Sequence, residues 1–169
     1  PKIIMQALAE VKPNIVIAVP LVIEKIYKTK VKPILEKEGI KFLMKVPGLD
    51  QIVLNKVKTE LINAFGGDFY EVIIGGAAFN KEVEAFFKRM GFPFTVGYGM
   101  TECAPIITYD DWKEEKLYSC GKAAPNMEVR IASADSVNIP GEIQVKGANV
   151  FLGYYKNETA TSEVFTEDG

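Results

Sequence analysis

Six consecutive residues, Gly97-Tyr98-Gly99-Met100-Thr101-Glu102, combine groups suited to a nucleotide. Without Cβ atoms, Gly97 and Gly99 let a flat or charged ligand approach the backbone closely. Tyr98 offers a face on which a base can stack. Thr101 can donate to a phosphate oxygen, and Glu102 can hold a Mg²⁺ that bridges phosphates. The same six residues also suit a tight turn with a capping threonine and an exposed glutamate. A second small-residue turn, Gly75-Gly76-Ala77-Ala78, lies upstream.

The surrounding pattern says how these turns are positioned. Asn14 to Val19, rich in Ile and Val, reads as a buried strand, and Pro20 opens a helix with Ile23, Ile26 and Tyr27 on one side. Gly39 is expected to end that region. Asp50 reads as the N-cap of a second helix carrying Val53, Val57, Leu61 and Phe65, with Gly66-Gly67 as its stop. A strand from Tyr70 to Ile74 leads into the Gly75 turn. A helix capped by Asn80 carries Val83, Phe86 and Phe87 to Gly91, and a strand from Phe94 to Val96 runs into Gly97. Strand, crossover helix, strand predicts an α/β fold with a parallel sheet layered with helices. Ligands bind beyond the carboxyl ends of such strands, so the Gly75 and Gly97 turns are expected side by side there. After about residue 110 the pattern becomes short alternating runs, Met127 to Ile131 and Glu142 to Lys146, separated by Asn138-Ile139-Pro140-Gly141. That predicts a small antiparallel β subdomain, part of a barrel. The expected division is an α/β portion over residues 1–110 and a β-rich portion over 111–169.

Composition narrows the chemistry. The 169 residues include 20 Lys and Arg against 22 Asp and Glu, for a net charge of −2, and 48% are hydrophobic. The absence of histidine removes Ser/His and Cys/His nucleophile pairs and histidine-ligated zinc. The longest hydrophobic stretch, Ile15 to Ile23 with Pro20 inside it, is too short to span a bilayer, which needs roughly 20 residues. Residues 1–66 carry a net +5 and 67–169 a net −7. Lys28, Lys30, Lys32, Lys37, Lys41 and Lys45 make either a solvated face or a site for phosphates or anionic lipid. Cys103 reads as a small buried thiol beside the site rather than a nucleophile. Asp110-Asp111 with Glu114-Glu115 reads as a solvated acidic loop anchored by Trp112 rather than a metal cluster. The chain starts on Pro1 and stops on a turn signal, Thr166 to Gly169, as expected of a piece of something longer.

Three patches, FGGDFYEVIIGGAAFNKEVEAFFKRMG, then GYGMTE, then GEIQVKGANVFLGYYKNETATSEVFTEDG, resemble the adenylate-forming acyl-CoA synthetase family in order and separation. Residues 11 to 30, with VKPNIVIAVPLVIEKIYK, resemble its long-chain fatty acid ligases. The resemblance implies a two-step reaction. A carboxylate attacks the α-phosphorus of MgATP to give an acyl adenylate and pyrophosphate, and the thiol of coenzyme A then displaces AMP. It implies that Tyr98 packs on the adenine, Thr101 contacts the α-phosphate and Glu102 coordinates Mg²⁺. Gly75, Gly76, Ala77 and Ala78 would wall the adenine off from the acyl tunnel, and Gly97, Gly99 and Met100 would complete the nucleotide site.

The same resemblance makes the chain an internal fragment of a large N-terminal adenylation domain. The glycine-rich phosphate loop would lie before Pro1, and the ribose-binding aspartate and catalytic lysine beyond Gly169, so the segment alone is expected to be inactive. Ala78 and Phe79 depart from a common Pro-Leu pair, and Glu158 from a common proline. Fatty acid, ATP and coenzyme A are the expected partners, with no nucleic acid. The expected setting is cytoplasmic, with the basic first third available to a membrane surface. Other adenylating enzymes, activating amino acids or aryl acids, and a non-catalytic nucleotide-binding module remain alternatives. Met100, where amino-acid-activating domains usually have proline, favours the fatty acid branch.

Overall fold

In the computed structural model, which describes residues 2 to 167, three parallel strands run in the order β1 (Ile15–Ala18), β2 (Glu71–Ile74) and β3 (Phe94–Val96). The helices between them are α2 (Pro20–Ile26), α3 (Lys32–Leu35), α4 (Glu38–Leu43), α5 (Leu49–Ala64) and α6 (Lys81–Met90); α1 (Lys2–Val11) precedes β1. Pro20 occupies the first turn of α2, where its missing N–H has no intrahelical partner to lose. Asn80 caps α6, its side chain accepting the Glu82 and Val83 amides at 3.0 and 3.1 Å. Gly91 ends that helix in the left-handed conformation, φ 66°. Ile23, Leu54, Val57, Leu61, Phe65, Val72, Ile74, Val83, Phe87 and Phe94 form one core between helices and sheet.

Some local expectations need correction. Gly39 lies inside α4, because a lone glycine weakens a helix by only about 1 kcal/mol and neighbouring apolar contacts outweigh it. The N-cap of α5 is Gly48; Asp50 sits in its first turn, accepts the Gly48 amide at 3.0 Å and pairs with Arg89 at 2.8 Å. β1 is an edge strand whose Ile15 and Ile17 are exposed, so it is not buried on both faces. Between α2 and α3 the chain widens into a π-helical turn, Tyr27–Val31, which carries it across Pro33 without the hydrogen bond that proline cannot donate.

Antiparallel pairing begins at Tyr98, before the change of sequence period near residue 110. A sheet of β4 (Tyr98–Gly99), β5 (Ile106–Tyr109) and β6 (Lys122–Ala123) is followed by the hairpin β7 (Met127–Ala132) and β8 (Glu142–Gly147). A short helix, α7 (Glu158–Val164), follows, capped by Asn157. Cys103, Ile107 and Met127 centre a second, smaller apolar cluster. The seam between the two parts is polar: Glu71 accepts from the Tyr109 hydroxyl and the Trp112 amide, Glu84 from the Tyr118 amide, and Lys88 pairs with Glu115. The acidic loop is therefore not simply solvated. Asp110 and Glu115 are buried and ion-paired to Lys122 and Lys88, and no cluster able to hold a metal exists among the described residues. No described helix is long and apolar enough to cross a membrane.

Candidate nucleotide site

The turns after β2 and β3 lie against each other at the carboxyl end of the parallel sheet. The Gly75 amide donates to Ala18 O and the Gly97 amide to Ile74 O, at 3.2 and 2.9 Å. A Cβ on Gly75 would stand 3.3 Å from Gly97 O. The two small-residue turns that the sequence singled out thus share one edge, where an open α/β sheet takes its ligands. Between them opens a cavity of about 430 Å³, walled by Gly76, Ala77, Ala78, Gly97, Tyr98 and Gly99.

Gly99 meets a stronger constraint than the sequence suggested. A Cβ there would lie 2.0 Å from Pro105 O, so β4 and β5 can pass only with glycine at this point. The Met100 amide then donates to Pro105 O at 2.9 Å, closing a loop around a 3-10 turn, Thr101–Cys103. Ala104 leaves that turn with φ 53°. Thr101 is exposed and is not a cap: the N-cap position is Met100, and no hydrogen bond engages the Thr101 hydroxyl among the described residues. The capped-loop alternative therefore lacks its cap.

Glu102, with Met100, lines a different cavity, of about 590 Å³, bounded by β8 and by Phe151, Tyr154 and Phe165. Its Oε1 accepts the Tyr154 hydroxyl at 2.7 Å. That bond, helped by its own backbone amide, holds the carboxyl below the usual carboxylate range, and the same bond pushes the Tyr154 hydroxyl up. Tyr98 and Glu102 thus line neighbouring but different cavities, with Thr101 exposed between them in the chain.

Several residues of this region carried no signal of their own in the sequence. Lys81, Glu84, Tyr118 and Cys120 line the Tyr98 cavity. Burial pushes the Glu84 carboxyl up, opposed by the Tyr118 amide. Lys81 Nζ lies 5.5 Å from the Tyr118 ring centre. Tyr154 lies in the stretch 141–169, where nothing local in the sequence marks it. Cys103 is buried and its thiol is raised, first by burial and then by Glu102, as befits packing rather than nucleophilic attack. Both cysteines are free.

The family model described as AMP-binding enzyme matches residues 1–155. The chain belongs to the AMP-binding enzyme family. Among curated relatives, this AMP-binding chain is 31% identical to long chain acyl-CoA synthetase 5 of Arabidopsis thaliana, over 98% of its own length and 29% of the relative's. It is 28% identical to a long-chain fatty acid–CoA ligase of Mycobacterium bovis, over 98% of its length and 30% of the relative's. It therefore spans about three tenths of the length of these relatives. Among solved structures, o-succinylbenzoate coenzyme A synthetase from Bacillus subtilis in complex with AMP superposes with a TM-score of 0.64 at 22% identity, covering 98% of this chain and 29% of that one. Apo MatB from Rhodopseudomonas palustris gives a TM-score of 0.66 at 20% identity, covering 100% and 29%. At such identities the superpositions establish the α/β fold.

Proposed function

We propose that this protein is an ATP-dependent fatty acid:CoA ligase, activating a fatty acid carboxylate as acyl-AMP and passing the acyl group to coenzyme A. The observation that carries the assignment to this site is the exposed Thr101 hydroxyl, without a hydrogen bond among the described residues, beside a fixed Glu102 carboxylate, on a turn that adjoins a cavity with an aromatic wall. Family membership and the names of the relatives supply the chemistry.

In the first step a carboxylate oxygen of the fatty acid attacks the α-phosphorus, and the bond to pyrophosphate breaks. In the second the coenzyme A sulfur, losing its proton, attacks the acyl carbon and AMP leaves. Tyr98 stacks on the base and Thr101 donates to a phosphate oxygen. Gly76, Ala77 and Ala78 form the wall between nucleotide and acyl group. A single carboxylate cannot cage a metal, but it suits Mg²⁺ carried in on the nucleotide, which is commonly held by one or two carboxylates plus phosphates and water. The ion would neutralise charge growing on the phosphoryl oxygens. Nothing in this scheme requires a histidine.

The test is fatty-acid-dependent exchange of pyrophosphate into ATP by the intact protein, across a Mg²⁺ titration. Exchange is expected with fatty acids, and Glu102→Gln should lower it about 100-fold, as for loss of one fixed electrostatic group. Exchange driven instead by amino acids or aryl acids would overturn the substrate class. A Glu102→Gln variant matching the parent at every Mg²⁺ level would overturn the metal role.

A further inference from the structure

Glu102 is gripped at two points by the chain that follows β8. Its carbonyl accepts the Phe151 amide at 2.7 Å, and its Oε1 accepts the Tyr154 hydroxyl at 2.7 Å. Tyr154 is itself fixed. Thr161 Oγ1 in α7 accepts its amide at 2.9 Å, and its ring meets Phe151 edge-on at 4.9 Å. Phe151 in turn stacks on Phe165, with ring centres 5.8 Å apart and 12° between planes. No strand pairing requires the bond between the two side chains, which are 52 positions apart in the chain.

A glutamate side chain loses much of its rotamer freedom when it is immobilised. If that ordering is already present, less of it opposes ligand binding. A phenol is suited to the task, since it donates one hydrogen bond while leaving the carboxylate its charge, where a lysine would neutralise it. Apart from its own backbone amide, Tyr154 is the one donor to the Glu102 carboxylate among the described residues.

We infer that Tyr154 is a positioning residue for Glu102, occupying Oε1 so that Oε2 is the oxygen presented to the cation on the nucleotide. This rests on the proposed role of Glu102 toward Mg²⁺, and the experiment separates the two. Mn²⁺ serves as the probe, its binding to the intact protein loaded with a non-hydrolysable ATP analogue being read from the paramagnetic resonance signal of the free ion. Tyr154→Phe keeps the ring on Phe151 and should weaken Mn²⁺ binding about 10-fold, the lower range for a hydrogen bond to a charged group. Metal-free binding of the analogue should not change.

In the Glu102→Gln background, Tyr154→Phe should add nothing further, because it acts through the carboxylate. Additive losses overturn the inference. So does parental Mn²⁺ affinity in Tyr154→Phe when Glu102→Gln has lost it, and in that case the metal role of Glu102 stands. Parental affinity in Glu102→Gln overturns the metal role and the inference together. If Tyr154→Phe does not fold, Thr161→Val, which releases the Tyr154 amide together with the bond from the Thr161 hydroxyl to Asn157 O, should give a smaller loss that again vanishes beside Glu102→Gln; a loss that persists there overturns the inference.

Discussion

Thr101 and Glu102 adjoin in the chain, yet the fold treats them oppositely, leaving the hydroxyl without a hydrogen bond among the described residues and fastening the carboxylate. Removing the Tyr98 ring, as in Tyr98→Ala, should weaken AMP binding by roughly 1 to 3 kcal/mol through lost stacking. Calorimetry with AMP measures this, and unchanged affinity would move the base elsewhere. Cys120, exposed in the wall of the same cavity, offers a chemical check. Its thiol is pushed up by partial burial and by Glu84, so alkylation by iodoacetamide should speed up as pH rises toward the alkaline range. AMP should protect it, with peptide mapping by mass spectrometry as the readout, while Cys103, buried, stays unmodified. The GYGMTE residues were legible because their chemistry is contiguous. Tyr154 was not, because its partner is brought to it by β7, β8 and the turn beyond, and nothing local marks that approach.

Among the elements, α6 was the easiest to read: a capping asparagine, acidic residues in the first turn, basic residues in the last and a terminal glycine all agree. Asn80→Ala should cost about 1 kcal/mol in thermal or urea unfolding, since two amides lose their acceptor. Glu84, on the same helix, carries a raised carboxyl pKa. A carboxyl raised on folding binds protons more tightly in the folded state, so its contribution is present at acid pH and lost as pH rises from the ordinary carboxylate value through the raised one. Glu84→Gln retains an acceptor for Tyr118 without the buried charge. Its melting temperature should match the parent near pH 4 and exceed it near pH 7; a constant difference across that range would show that the charge is not the cause. The elements that escaped notice lacked such agreement. β4 and β6 are two residues long, too short for alternation to register, and α1 leaves Ile3 and Ile4 exposed.

Across the whole molecule, the two apolar clusters are joined less by hydrophobic contact than by carboxylates reaching from the α/β layer to the segment between Tyr109 and Tyr118. Sequence pattern cannot show such a seam, since Glu71 and Glu84 look like any surface acid until the fold buries them. Lys88→Met should leave the buried Glu115 carboxylate without its cation and cost about 2 kcal/mol in urea unfolding. That is less than the 3 to 5 kcal/mol of a fully enclosed pair, because the Lys88 side chain is 40% exposed. A loss below about 0.5 kcal/mol would mean that the seam is held by packing instead. The crossing of β4 and β5 also limits how the chain can change in length. With Pro105 O seated where a Gly99 side chain would be, and bonded to the Met100 amide, an inserted residue between them would lift the 3-10 turn off the cavity that Glu102 lines. The tip of the β7–β8 hairpin has no such tie: Ser133 donates to Ile139 O and Asp135 accepts the Val137 amide within the loop itself, and Val137 is 88% exposed. Length drift during divergence should therefore accumulate at that tip and be purged around the turn, which makes the position after Val137 the place to splice in an epitope or reporter loop.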